Sequence, residues 1–228
     1  HQLFHGLTLT FRENSAGVAL QAEGGRIIGD SGGVYATGNA YAFRGYIDNF
    51  AAIAKDSIAQ LNLVGNADNR VEIRGGTNRP YRGRVVAGIP DTIRAIKQLP
   101  WLVFEHLYID SLARFIPGPG SRIGFWGAGM TFQRGGRLVA HGTPLDTIVF
   151  ERWSPTSGNF NGMEFLSPAS GTESSVLINA VVRNAQSCQS QTLGCAALAT
   201  QDRHILIVDS ARVSSVSHGG VHLAAAGS

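Results

Sequence analysis

Sixteen carboxylates and seven histidines are the residues of this 228-residue chain that could act as acids or bases. Six of the carboxylates, Asp30, Asp48, Asp56, Asp68, Asp110 and Asp209, close short runs of β-type residues. An Asp there is accounted for by hydrogen bonds to its own neighbouring backbone. Glu is a poor turn former, so Glu105, Glu151 and Glu164 stand out from that pattern. Glu151 and Glu164 flank RWSPTSGNFNG (152–162), an aromatic-bearing stretch that reads as a long exposed loop. Glycoside hydrolysis needs two carboxylates about 5 to 9.5 Å apart. Lyase chemistry needs a base beside an Arg or a carboxylate-bound metal. Glu151 followed by Arg152 reads better as a solvated rim pair than as an acid–base couple. No residue is therefore assigned a catalytic role, and Glu151 and Glu164 are kept as candidates for the enzymatic alternative.

The histidines (His1, His5, His106, His141, His204, His218, His222) form no HxH or HExxH arrangement. The sequence contains no P-loop, no GxSxG and no GGxGxD calcium repeat, and its Gly-rich pieces follow turns instead of opening a helix. No metal and no cofactor are expected. Cys188 and Cys195, in CQSQTLGC, lack further ligands at zinc spacing. They read as a disulfide closing a small surface loop, with two free thiols as the alternative.

Charged residues make up only 15% of the chain, so Ser, Thr, Asn, Gln and Gly must coat the surface. That suits short strands, tight turns and an extracellular or cell-surface setting. Net charge is +3, but the arginines are spread along the chain without a basic run, which argues against nucleic acid as a partner. No stretch of about 20 apolar residues is present to span a membrane. The N-terminal HQLFHGLTLTF has no basic segment followed by an apolar one, so it is not a signal peptide.

The positioning elements are legible as a repeat. A β-type run ending in Asp or Asn and a small residue recurs in LTLTFRENS (7–15), GGRIIGDS (24–31), GYIDN (45–49), HLYIDS (106–111), VVRNA (181–185) and ILIVDS (205–210). The intervals are 16 and 18 residues from Asn14 to Asp30 to Asp48, and 25 from Asn184 to Asp209. Alternating apolar residues put every second side chain on one face, which a single unit cannot bury and a stack can. Leu107, Ile109, Leu206 and Val208 are predicted to point inward. An antiparallel sandwich would need matched two-residue hairpin turns, and only NGM (161–163) offers one. The pattern predicts an all-β, right-handed parallel β-helix, a solenoid with at most one short helix near 90–98, where Asp91 could cap IPDTIRAIKQL.

FIPGPGSRIGF (115–125), GGRLVAHGTPLDTIVF (135–150) and NGMEFLSPASGTESSVLINAVVRNA (161–185) carry a family signal. The region they span resembles the opening turns of bacterial right-handed parallel β-helix repeat proteins of the cell surface. The resemblance is strongest over 99–185. It implies that 1–97 are the closing turns of one unit and 98–228 the opening turns of the next, in one continuous solenoid. The function expected is that of an extracellular structural or adhesive repeat protein, part of a larger surface protein or filament. The alternative is a carbohydrate-active enzyme (polysaccharide lyase or glycoside hydrolase) or a carbohydrate-binding module. The partners expected are neighbouring repeats or further copies joined end to end, with polysaccharide as the other class. No turnover of uronic-acid polymers is expected.

Overall fold

In the computed structural model of the chain, residues 2–4, 9–12, 18–22, 27–29, 34–39, 41–53, 60–75, 81–82, 92–110, 113–166, 174–185, 196–200, 204–214, 216 and 219–223 are described. The chain opens with β1 (Gln2–Phe4), β2 (Leu9–Arg12) and β3 (Val18–Ala22), then β4 (Ile27–Gly29), β5 (Val34–Thr37) and β6 (Tyr41–Tyr46). A helix, α1 (Ile47–Ile53), precedes β7 (Asp68–Arg74), β8 (Tyr81–Arg82) and β9 (Thr92–Ala95). Next come β10 (Trp101–Val103), β11 (Leu107–Asp110), β12 (Arg114–Pro117), β13 (Arg122–Phe125), β14 (Ala128–Phe132) and β15 (Arg137–His141). The last are β16 (Ile148–Arg152), β17 (Phe160–Phe165), β18 (Ser174–Ile178), β19 (Ala180–Arg183), β20 (Ala196–Thr200), β21 (Ile205–Asp209), β22 (Arg212–Ser214) and β23 (Gly219–Leu223).

From β7 onward, successive strands are dealt in rotation to three sheets, and each pairs in parallel with the strand three places on. An eight-stranded sheet runs β22-β19-β16-β13-β10-β7-β6-β3, a six-stranded sheet β23-β20-β17-β14-β11-β8, and a five-stranded sheet β21-β18-β15-β12-β9. β1 with β4 and β2 with β5 form two-stranded sheets on the same rotation. The eight-stranded sheet runs through position 97/98 without interruption, since β10 pairs with β7.

Period-two alternation explains what lies inside. Trp101, Ile123, Phe150 and Val182 stand in register on one sheet, and Ile109, Phe132 and Phe165 on another, all fully buried. Phe132 stacks on Phe165 at 5.1 Å, and Phe125 on Phe160 at 4.2 Å. Each such phenylalanine contributes about 2 to 3 kcal/mol of burial.

The helix expected near 90–98 is not there. Thr92–Ala95 is β9, with Ile93 and Ala95 buried and Thr92 and Arg94 facing out, paired in parallel with β12. The run satisfies a two-residue period as well as a helical one, and the free edge of β12 decides between them. Helical residues among those described are α1 and 60–61. In α1 the buried Ile47, Phe50 and Ala51 fall at i, i+3 and i+4, and Asp48 lies in the first turn, where the helix dipole favours it. Phe50 sits edge-on between Phe43 and Trp101, 5.3 Å from each. GYIDN, read as a turn phrase, thus starts a helix that fills the interior.

Candidate functional site

Glu151 occupies an outward position of β16, in register with Gly124 on one side and Arg183 on the other. Its side chain is nevertheless only 7% exposed, because two arginines close over it. Arg122 donates from Nε to Oε1 at 2.6 Å, and Arg183 from Nε to Oε2 at 2.7 Å. The rung spacing of about 4.8 Å puts Arg183 within reach, and Arg122 projects from the same face two residues before Gly124. Arg122 also donates from Nη2 to the Trp153 carbonyl at 3.1 Å and lies 4.5 Å from the centre of the Trp153 ring. That ring covers Gly124, where a β-carbon would come within 2.3 Å of it. The loop that follows is pinned by Ser157, whose hydroxyl donates to the Ser154 carbonyl at 2.7 Å and accepts from the Ser154 N–H at 3.1 Å. A cleft of about 380 Å³ results, lined by Arg122, Glu151, Arg152, Trp153, Pro155 and Arg183 among others. Glu72, three strands of the sheet away, is held the same way: Arg44 donates to Oε2, and Arg70 Nε lies 3.1 Å from Oε1.

Glu164 faces outward from β17 on the six-stranded sheet, in register with Thr131 of β14 and, beyond it, Tyr108 of β11. The Thr131 hydroxyl donates to Glu164 Oε2 at 3.2 Å and contacts His106 Nε2 at 2.7 Å. A hydroxyl that gives its proton to Glu164 can only accept from His106, so Nε2 carries the imidazole proton and Nδ1 is a bare acceptor. Nδ1 is buried and has no hydrogen-bond partner among the described residues. Burial holds the His106 pKa down to about 4. Burial also raises Glu164, partly offset by the Thr131 bond, and raises Tyr108, with Glu164's charge adding to it. The His106 ring rests against Gly129, opposite a bulge at Asn161 and Gly162 where the β14–β17 register shifts. Bulges of this kind re-aim side chains.

A third constellation is internal. His204 Nδ1 bonds the Leu166 carbonyl at 2.8 Å, so Nδ1 carries the proton and Nε2 accepts from Ser175 Oγ at 2.9 Å. Ser175 Oγ in turn accepts from the Leu138 N–H at 3.1 Å. Ser175 is fully buried, so this serine–histidine pair ties two sheets together and offers no nucleophile to solvent.

The two glutamates singled out from the sequence therefore sit on different sheets, and neither has the other as a partner. Glu105 is exposed at the corner before β11. Asp68 accepts from the Arg70 N–H at 2.9 Å, the local turn bond expected of it, whereas Asp110 is buried beside Gln133 and Arg134. Asp30, Asp56, Cys188 and Cys195 lie outside the described residues. Among the described residues no three His, Cys, Asp or Glu converge on a metal position, and no helix is long and apolar enough to cross a membrane. Sequence reasoning missed Glu72, His106, Thr131, Tyr108, Arg122, Trp153 and Arg183. Most of their partners lie far along the chain, 25 residues for His106 with Thr131, 32 for Glu151 with Arg183 and 33 for Thr131 with Glu164.

No family model, no curated protein and no solved structure matches this chain.

Proposed function

We propose that the chain is part of a right-handed parallel β-helix that serves outside the cell as a structural or adhesive segment of a larger surface protein. One observation carries this reading: from β7 to β23, every strand pairs in parallel with the strand three places along. A connection from one parallel strand to the next is right-handed in nearly all proteins. The sequence phrases that resemble cell-surface repeat proteins, and the low content of charged residues, point the same way. The interior columns also ask for continuation. Val208 and Val221, in register with the buried Leu177 and Leu198, are 46% and 53% exposed. A further rung, from the same polypeptide or from a second copy, would cover them, and stacking of copies in this sense is head to tail. Small-angle scattering across a concentration series tests the reading. The expected particle is a rod whose length grows with concentration at constant cross-section. A compact particle of 24.2 kDa at every concentration would count against it.

A second reading, a carbohydrate-active enzyme, is favoured by the Glu164 cluster, in which a carboxyl with a raised pKa lies beside a neutral histidine. Its test is turnover: release of unsaturated or reducing sugars that disappears in Glu164→Gln would put the enzyme ahead of the scaffold. Glu151 has both carboxylate oxygens engaged by guanidinium groups, which leaves it less available to a substrate than Glu164.

A further inference from the structure

The cleft beside Glu151 has the makings of a binding site, and the geometry points to the carboxylate- or sulfate-bearing unit of an anionic polysaccharide as its ligand. This goes beyond the scaffold reading and depends only on the cleft itself.

The first argument is charge. Arg122 and Arg183 line the cleft and share the single carboxylate of Glu151, two cations to one anion. The second is orientation. Glu151 engages both of its arginines through Nε, so their terminal nitrogens are not taken up by hydrogen bonds to it. One Nη of Arg122 is used by the Trp153 carbonyl; the two of Arg183 make no other hydrogen bond among the described residues. Both side chains remain open to solvent, 43% and 48% exposed. A guanidinium fixed along one edge offers the other as a planar fork, which fits a carboxylate or a sulfate. Glu151 thus preorganises the two cations for an anion it does not itself resemble in position.

The third argument is shape. A volume of about 380 Å³ is in the range of a small-molecule site. Trp153 forms one wall and cannot sink toward the sheet, because its ring already rests on Gly124. An indole wall beside hydrogen-bonding groups suits the apolar face of a sugar ring. The aromatic surface also continues along the stack. Phe104, Trp126 and Trp153 follow β10, β13 and β16 at equivalent places, with backbone bonds Trp126 N–H to Val103 and Trp153 N–H to Phe125 keeping the register. Trp126 is 43% exposed, and its ring lies 5.9 Å from that of Phe104. A corner lined with aromatics at successive rungs fits a chain of sugars better than a single one. Glu151 is committed to its arginines, so binding without cleavage is the outcome this cleft supports.

The test is affinity electrophoresis and calorimetry of the 228-residue protein with polygalacturonate, dextran sulfate and neutral dextran. Binding to an anionic polymer and not to neutral dextran is expected. Preference for polygalacturonate identifies the group bound as a carboxylate, and preference for dextran sulfate identifies it as a sulfate. Arg183→Ala and Arg183→Lys should each weaken binding about tenfold or more, the lysine variant because it keeps the charge and loses the fork. Arg44→Ala, which removes the same charge at the Glu72 pair, should stay within about twofold. Ligand should also quench tryptophan fluorescence in the parent, and less so in Trp153→Phe. Equal loss in Arg44→Ala and Arg183→Ala would reduce the effect to net charge and overturn the proposal. So would binding to neutral dextran at the same strength, or no binding to either anionic polymer.

Discussion

Glu151 and Glu164 sit at outward positions on consecutive strands, β16 and β17, yet they live in opposite electrical surroundings. Glu151 has a guanidinium on the rung above and another on the rung below. Glu164 has a threonine hydroxyl, and beyond it a tyrosine and a histidine that burial keeps neutral. The strand a carboxylate belongs to, and its direction, do not decide what it does. The residues at the same height on the neighbouring rungs decide it. One arrangement makes a fixed anion that orders cations; the other makes a carboxyl whose charge is opposed.

The sharpest way to break the comparison is through the glycines beneath the two sites. A β-carbon at Gly129 would lie 2.6 Å from the carbonyl oxygen of Gly162, which is backbone and cannot step aside. Gly129→Ala should cost about 3 kcal/mol in denaturant unfolding. Gly124→Ala meets only the Trp153 ring, a side chain that can swing out, and should cost about 1 kcal/mol while exposing the indole. Equal costs would mean that the two faces are equally adaptable.

Glu151→Ala should lower stability by about 2 kcal/mol, because it leaves Arg122 and Arg183 facing each other without their shared counter-ion. The figure is discounted because both arginines are nearly half exposed. The same truncation at Glu164 removes no ion pair among the described residues and should stay within about 1 kcal/mol. Urea titration of both variants side by side separates the two surroundings; matching losses would erase the distinction.

Titration sharpens it further. The folded-state pKa of His106, about 4, lies below its ordinary 6.5. As pH falls through 6.5 the unfolded chain takes up the proton first, so stability drops between 6.5 and about 4 and then levels off. His204, also lowered by burial and by Arg137, adds a loss of the same sign below 6.5. The loss expected from His106 alone is on the order of 3 kcal/mol, and His106→Gln should flatten that part of the profile. Glu164 contributes with the opposite sign. Its raised pKa means that stability is lost as pH rises above the ordinary 4.5. Glu164→Gln should therefore stabilise the protein slightly above that pH, the smallest of these effects. An unchanged melting temperature from pH 5 to 8 in that variant would mean that the carboxyl is better solvated than its place in the sheet suggests.

The repeating character of the chain was legible because alternation and turn residues are local properties. Leu107 and Ile109 point inward as read, and Asn184 and Ser210, in two of the turn phrases, adopt left-handed φ of 60° and 50° at corners. Leu206 and Val208 lie in inward columns too, but on the last strand of their sheet, where burial is incomplete. What stayed hidden is the vertical order. Trp101 faces Ile123, 22 residues on, whereas Phe150 faces Val182, 32 residues on. With rungs of unequal length no fixed spacing brings His106 to Thr131 or Arg183 to Glu151. The same ambiguity misplaced the helix: IPDTIRAIKQL and GYIDN each fit two local structures, and only the neighbouring rung selects one.

The rung that α1 occupies has a mechanical consequence. Between β6 and β7 the described residues form α1 and a turn region over 60–67 and no strand, so among the described residues a single ladder, β6 with β7, carries sheet hydrogen bonds across that level. Above it, three ladders run side by side. If the stack were pulled lengthwise, the load borne by three seams elsewhere would fall here on one seam, helped by the wedge of Phe50 between Phe43 and Trp101. Rupture would begin at that level and release the first six strands as a unit, leaving the rungs that carry both glutamates intact.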